Sequence, residues 1–162
     1  MSGTSPDPRI AWPAGHAPSS AVVFAHNTVE IAAAPQKVWA LLTDCVAWPR
    51  WYRHCSNVSI LKGGPRLQRG SKFRFRTLRT DFEPEVTTAQ PARLLIWTAN
   101  GPAGTSGAHA WLIEPTPRGC RVVTEEAQKG LLLHVVGRRL QAELLTNHED
   151  WVQSLKRLAE AA

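Results

Sequence analysis

Residues 131–162 constrain this chain more than any other stretch. No proline interrupts them. Leu140, Leu144, His148, Trp151, Leu155 and Leu158 recur at steps of three or four, which places them on one stripe of an α-helix. Arg138, Arg139, Glu143, Glu149, Asp150, Lys156 and Arg157 mostly take the other faces. A long amphipathic helix must bury its stripe against something. Most of the preceding chain reads as strand, so the partner is expected to be a sheet. Gly137 falls early in this helix, where glycine costs about 1 kcal/mol relative to alanine. A bend or break is expected there, with Leu131–Val136 as a mobile flap.

The upstream chain supplies the strands. Residues 1–20 carry Pro6, Pro8, Pro13 and Pro18 among small residues and read as a flexible or loosely docked tail, with Trp12 available to pin it. The remainder, 21–162, reads as one domain. A first strand spans Val22 to Ala32. Pro35 then suits the first turn of a short helix with an apolar face of Val38, Trp39, Leu41 and Leu42. A second helical turn runs through Trp48-Pro49-Arg50-Trp51-Tyr52. Strands are expected over 58–61, 70–80, 82–90, 93–99, 108–114 and 120–127, with turns at Gly63-Gly64-Pro65, Gln90-Pro91-Ala92, 100–107 and 115–119. Short turns between successive strands imply an antiparallel meander. Helices set to one side of it make an α+β fold.

Composition removes several classes of function. No run approaches the roughly 18 apolar residues of a membrane span. The first residues lack a basic start followed by an apolar core, so a cytoplasmic location is expected. Cys45, Cys55 and Cys120 are odd in number and widely spaced, without a Cys-x-x-Cys pair, so they are expected as buried thiols. No helical pair of histidines sits at ligand spacing, and neither a metal nor a cofactor is expected. The net charge is +6, but the cations are scattered. Those between Lys72 and Arg79 alternate with Phe73, Phe75 and Thr77, and so read as a solvated strand face rather than a nucleic-acid surface. Seven tryptophans stand against four phenylalanines and one tyrosine, a balance suited to the walls of an apolar cavity.

Several of these segments resemble one known superfamily. They are Val29-Glu30-Ile31-Ala32-Ala33-Ala34-Pro35, Val38-Trp39-Ala40-Leu41-Leu42-Thr43-Asp44, Trp48-Pro49-Arg50-Trp51 and Leu67-Gln68-Arg69-Gly70. Gly119-Cys120-Arg121-Val122-Val123-Thr124 and the helix end Leu155 to Glu160 add to them. Over about 22–160 the chain is similar to the SRPBCC, START-like or Bet v 1-like superfamily, and within it to the polyketide cyclase/dehydrase and lipid-transport group. The resemblance implies a helix-grip: a curved antiparallel sheet of about six to seven strands wrapped on the C-terminal helix, two short helices after the first strand, and a cavity between sheet and helix. Its motifs are structural. The superfamily includes cyclases, lipid and hormone carriers, quinone-binding proteins and chaperone activators.

Strand parity then nominates cavity residues. His109, Trp111 and Ile113 share one strand face, and Leu95 and Trp97 share another. Leu140, Leu144, His148 and Trp151 are expected to face the cavity, while Leu155 and Leu158 close the core. A register slip would reverse any strand face. A cyclase or dehydratase needs a general acid or base there, and His109, His148 and Glu126 are the candidates, followed by Arg76. Residues 100–107 lack the Gly-Lys-Ser/Thr of a phosphate loop and are expected as a hairpin gate at the cavity mouth.

Three functions follow as expectations. The first is binding of a small hydrophobic ligand, such as a lipid, a quinone or an aromatic polyketide, at Trp97, Trp111, Ile113, Leu140, Leu144, Trp151 and Arg76. The second is a cyclase or dehydratase using the His/Glu set. The third is a chaperone-activator-like interaction module using the basic face of residues 72–79. Nothing in the spacing addresses oligomeric state.

Overall fold

Proline, glycine and left-handed residues set the element boundaries in the computed structural model, which describes residues 5–161. β1 (Val23–Ile31) stops before Pro35, which opens α1 (Pro35–Thr43) at a position where its missing N–H costs nothing. α1 buries Val38 and Leu42. A 3-10 segment, Cys45–Arg50, carries Trp48 inward. Then come β2 (Ser56–Lys62), β3 (Lys72–Thr77), β4 (Thr80–Phe82), β5 (Glu85–Gln90), β6 (Leu94–Asn100), β7 (Ser106–Thr116) and β8 (Gly119–Lys129). α2 (Leu133–Glu160) closes the chain.

The single strand expected over 70–80 is instead a hairpin of β3 and β4. Leu78 and Arg79 have φ of 49° and 63°, two successive left-handed residues that make a tight turn. Neither is glycine or asparagine, so the usual signal for such a turn is absent.

All strand pairs are antiparallel, in the order β1-β8-β7-β6-β5-β3-β2, with β4 on β3. The last strand returns beside the first. Eight strands form the sheet where six to seven were expected. The architecture is the helix-grip α+β fold.

Each face of the sheet buries a different layer. On the concave face Val29, Phe73, Phe75, Leu95, Trp97, Trp111, Ile113 and Val122 pack with Trp151, Val152 and Leu155 of α2. Trp48 lies at the centre of this layer, edge-on to Phe73 and Trp151, and its indole N–H donates to the Leu42 carbonyl at 3.1 Å. Leu155 is buried as expected, but Leu158 is only half-buried, and Ala159 completes the seal.

The convex face is covered by residues 5–20. Ile10 joins Leu94, Ile96, Ala110, Leu112 and Val123 in an outer cluster, with Trp12 packed against it. The Asp7 N–H donates to Oε1 of Glu125 at 2.6 Å, and His26 Nδ1 meets the same oxygen at 2.7 Å. Glu125 is fully buried beneath this strap. Over 5–20, therefore, the stretch expected as a flexible or loosely docked tail lies docked on the sheet. A few apolar anchors outweigh its proline content.

α2 runs continuously through Gly137, without the expected break. A Cβ at Gly137 would stand 3.2 Å from Val23 Cγ2, so the glycine lets helix and β1 approach closely. Leu131–Val136 is not a separate flap: Leu133 begins the helix and is buried, whereas Leu131 and Val135 are exposed. Cys45, Cys55 and Cys120 are free and buried.

Candidate functional site

The curvature of the sheet leaves a cavity of about 190 Å³ between its concave face and α2. Tyr52, Phe75, Phe82, Trp97 and Trp151 form its aromatic wall. Leu132, Leu133, Val136, Leu140 and Leu144 supply an aliphatic wall from the start of α2. His109, Glu126 and His148 are the titratable side chains of the lining apart from Tyr52, and no lysine or arginine joins them among the described residues.

Strand register brings the first two together. His109 on β7 is the cross-strand partner of Glu126 on β8. Both side chains take the concave face, where His109 Nδ1 lies 3.3 Å from Glu126 Oε2. His148 comes down from α2 and sets Nε2 3.0 Å from that same oxygen. The Gln128 amide donates to the other carboxylate oxygen. His109 Nε2 stands 2.7 Å from Oγ1 of Thr124, a fully buried residue. The His109 ring stacks on Trp111, with centroids 5.3 Å apart.

This surrounding decides the protonation of the set. Burial, reinforced by nearby His148, pushes His109 down to about 3, against the pull of Glu126. It is a neutral imidazole at ordinary pH. Burial works to raise Glu126, but the hydrogen bond from His148 and the other donors around it outweigh burial and hold it at about 2. It is a carboxylate. Chemically, the arrangement offers an anionic acceptor with two imidazoles on one oxygen.

Two buried polar atoms of cavity-lining residues have no protein partner: His148 Nδ1 and Trp151 Nε1. A buried polar atom without a partner costs about 1–3 kcal/mol. Burial also raises the Tyr52 phenol well above its ordinary value, keeping its proton.

His109, Glu126 and His148 were expected at the site, and the structure brings all three together. Trp97, Leu140, Leu144 and Trp151 line the cavity as well. Three other nominees do not. Trp111 and Ile113 share the concave face but are consumed by the core behind the cavity. Arg76 sits on the opposite face of β3 from Phe75, half-exposed and paired with Asp81 at 2.7 Å. Tyr52, Phe75, Phe82, Gln128 and Asn147 were not nominated. Phase with Phe73 marks Phe75 on its strand, and phase with Glu126 marks Gln128. Tyr52 follows an irregular segment and gives no such signal. In the loop over 100–107, the Gly101 N–H donates to the Thr105 carbonyl at 2.8 Å, and Gly101, Pro102, Thr105 and Ser106 border the cavity.

Comparison with known proteins agrees with this architecture. The sequence matches the family model for polyketide cyclase / dehydrase and lipid transport over residues 25–161. No curated protein matches the chain significantly. Among solved structures, the chain is similar to a hypothetical protein of Helicobacter pylori at 23% identity and TM-score 0.83, over 97% of this chain and 99% of that one. A START superfamily protein from Mycobacterium smegmatis is similar at 17% identity and TM-score 0.71, over 85% of this chain and 97% of that one. The di-domain ARO/CYC StfQ from the steffimycin biosynthetic pathway is similar at 16% identity and TM-score 0.72, over 88% of this chain and 52% of that one.

Proposed function

The chain belongs to the polyketide cyclase / dehydrase and lipid transport family, and from that premise we propose that its cavity binds a small, largely apolar ring compound carrying a hydroxyl or carbonyl oxygen. One observation carries this reading: an aromatic and aliphatic cavity with a small polar set, His109, Glu126, Gln128 and His148, in its lining. The size argues for a small guest. A dry cavity of about 150 Å³ takes a benzene, so about 190 Å³ suits one or two rings rather than a long acyl chain. The apolar walls supply affinity, and the polar atoms orient the oxygen.

Titration with 1-naphthol, followed by its fluorescence and by native mass spectrometry, tests this. Saturable one-to-one binding is expected, weakened at least tenfold by Leu144→Trp, which fills the cavity. Absence of saturable binding by naphthols and short-chain phenols would remove the reading.

A second reading, acid–base catalysis of a cyclisation or dehydration, is favoured by the His109–Glu126–His148 set. His148, hydrogen-bonded to a carboxylate, is placed to pass a proton to or from a cavity oxygen. This also fits the cyclase and dehydrase chemistry for which the family is named. Product analysis with poly-β-carbonyl thioesters, comparing the wild type with His148→Ala, would reject it if the profiles matched. The interaction-module reading gains nothing from the basic strand face: Lys72, Arg74 and Arg76 each pair with a local carboxylate, on Glu85, Glu83 and Asp81.

A further inference from the structure

We infer that His109 Nδ1, Glu126 Oε2 and His148 Nε2 form a site for one divalent first-row transition-metal ion, with its open positions toward the cavity. The three donor atoms lie within 4.8 Å of one another and come from β7, β8 and α2. Two separations, 3.3 and 3.0 Å, are already close to the spacing in a tetrahedral site. Metal–nitrogen and metal–oxygen bonds of about 2.0–2.2 Å place neighbouring ligands roughly 3.4 Å apart. Two imidazoles and one carboxylate suit zinc or iron(II) in a site that keeps positions open for substrate or water.

Charge argues the same way. Glu126 is the one carboxylate of the cavity lining, and no lysine or arginine of the lining balances it. Its partners are the two imidazoles and the Gln128 amide. Both imidazoles converge on one of its oxygens, the geometry a shared cation would organise. The outer contacts also fit. Thr124 Oγ1 holds the far nitrogen of His109, and Gln128 holds the far oxygen of Glu126, so two of the three ligands have a fixed orientation. Trp97, Trp111 and Trp151 pack around His109.

This inference uses the same cavity as the ligand reading, but the two fail separately. The full chain is stripped with a chelator, freed of it, and titrated with Co²⁺ under visible absorption, with Zn²⁺ as competitor. One equivalent should bind and give d–d bands, and Zn²⁺ should raise the melting temperature. Glu126→Gln and His148→Ala should abolish binding. Thr124→Val, nearly isosteric, should weaken it about 10–100-fold, as loss of an outer-shell partner does elsewhere. His54→Ala, a surface histidine beside Asp150, should change nothing. No saturable binding and no thermal shift in the wild type would overturn the metal site, as would binding unaltered in Thr124→Val and Glu126→Gln. Naphthol binding by the stripped protein together with either of those results would leave the ligand reading standing. Metal binding without naphthol binding would do the reverse.

Discussion

His109 and Glu126 oppose each other across β7 and β8, and their side chains meet 3.3 Å apart on the concave face. His148 meets the same carboxylate oxygen from α2. The three groups therefore act as a unit, and a double-mutant cycle should show it. Glu126→Leu leaves two buried imidazoles without their acceptor, at about 1–3 kcal/mol. His148→Leu in the same chain removes one of those orphans. A coupling of about 0.5–3 kcal/mol between the two changes is expected from urea unfolding of the chelator-treated protein. Strictly additive losses would show that the contact has no energetic content.

How far this site was legible follows from its parts. The β7–β8 hairpin pairs Thr116 with Gly119, so residues summing to the same total face each other, His109 and Glu126 among them. Once the turn near Gly119 is placed, that pair is readable from sequence. His148 is not, because the height of α2 above the sheet depends on how closely Gly137 approaches Val23. The helix stripe, by contrast, was readable up to its end, where Ala159 rather than Leu158 is buried, since only a sheet offers a partner for it. Arg76 was nominated against its own strand's parity, because Phe73 and Phe75 point inward and so turn Arg76 out. The strap was hidden by its prolines. Its anchors Asp7 and Ile10 have no periodicity, and their partner Glu125 is distant in sequence. A metal site drawn from three separate elements likewise leaves no local spacing to find.

Gly137 offers a direct test of helix–strand packing. Alanine there gains about 1 kcal/mol of helix propensity, but its Cβ meets Val23 Cγ2 at 3.2 Å. The two effects oppose, so Gly137→Ala alone should move stability by less than about 1 kcal/mol. In a Val23→Ala background the obstruction is gone, and the same change should stabilise by about 1 kcal/mol. Gly137→Leu should destabilise by about 1–3 kcal/mol through overpacking. Thermal unfolding of the wild type, the three single variants and the double variant decides this. Stabilisation by leucine would mean that α2 moves freely off β1.

Arg76 should be dispensable for the cavity. It is half-exposed and its partner Asp81 lies on the solvent side of the β3–β4 hairpin. Exposed ion pairs contribute about 0–1 kcal/mol. Arg76→Ala should therefore leave 1-naphthol affinity unchanged and alter stability by no more than about 0.5 kcal/mol. A tenfold loss of naphthol affinity would return Arg76 to the ligand site.

The N-terminal strap should loosen in acid. The Arg9 guanidinium donates to Asp7 and, against the effect of burial, holds its carboxyl below the ordinary value of 3.8. The Asp7 main chain in turn caps Glu125. A carboxyl whose folded value is depressed binds protons more readily when released. Its stabilising contribution is thus complete above 3.8 and fades as pH falls through the lower folded value. Trp12 packs against the outer cluster and reports the event by fluorescence, and exchange of the Ile10 amide, which donates to the Asp7 carbonyl at 3.2 Å, reports it independently. Below about pH 4 the strap signal should change before the far-ultraviolet dichroism of the sheet, because the strap rests on few contacts. Asp7→Asn should remove the pH dependence in that window and raise Ile10 exchange at pH 7. Equal acid profiles for the wild type and Asp7→Asn would show that some other group releases the strap.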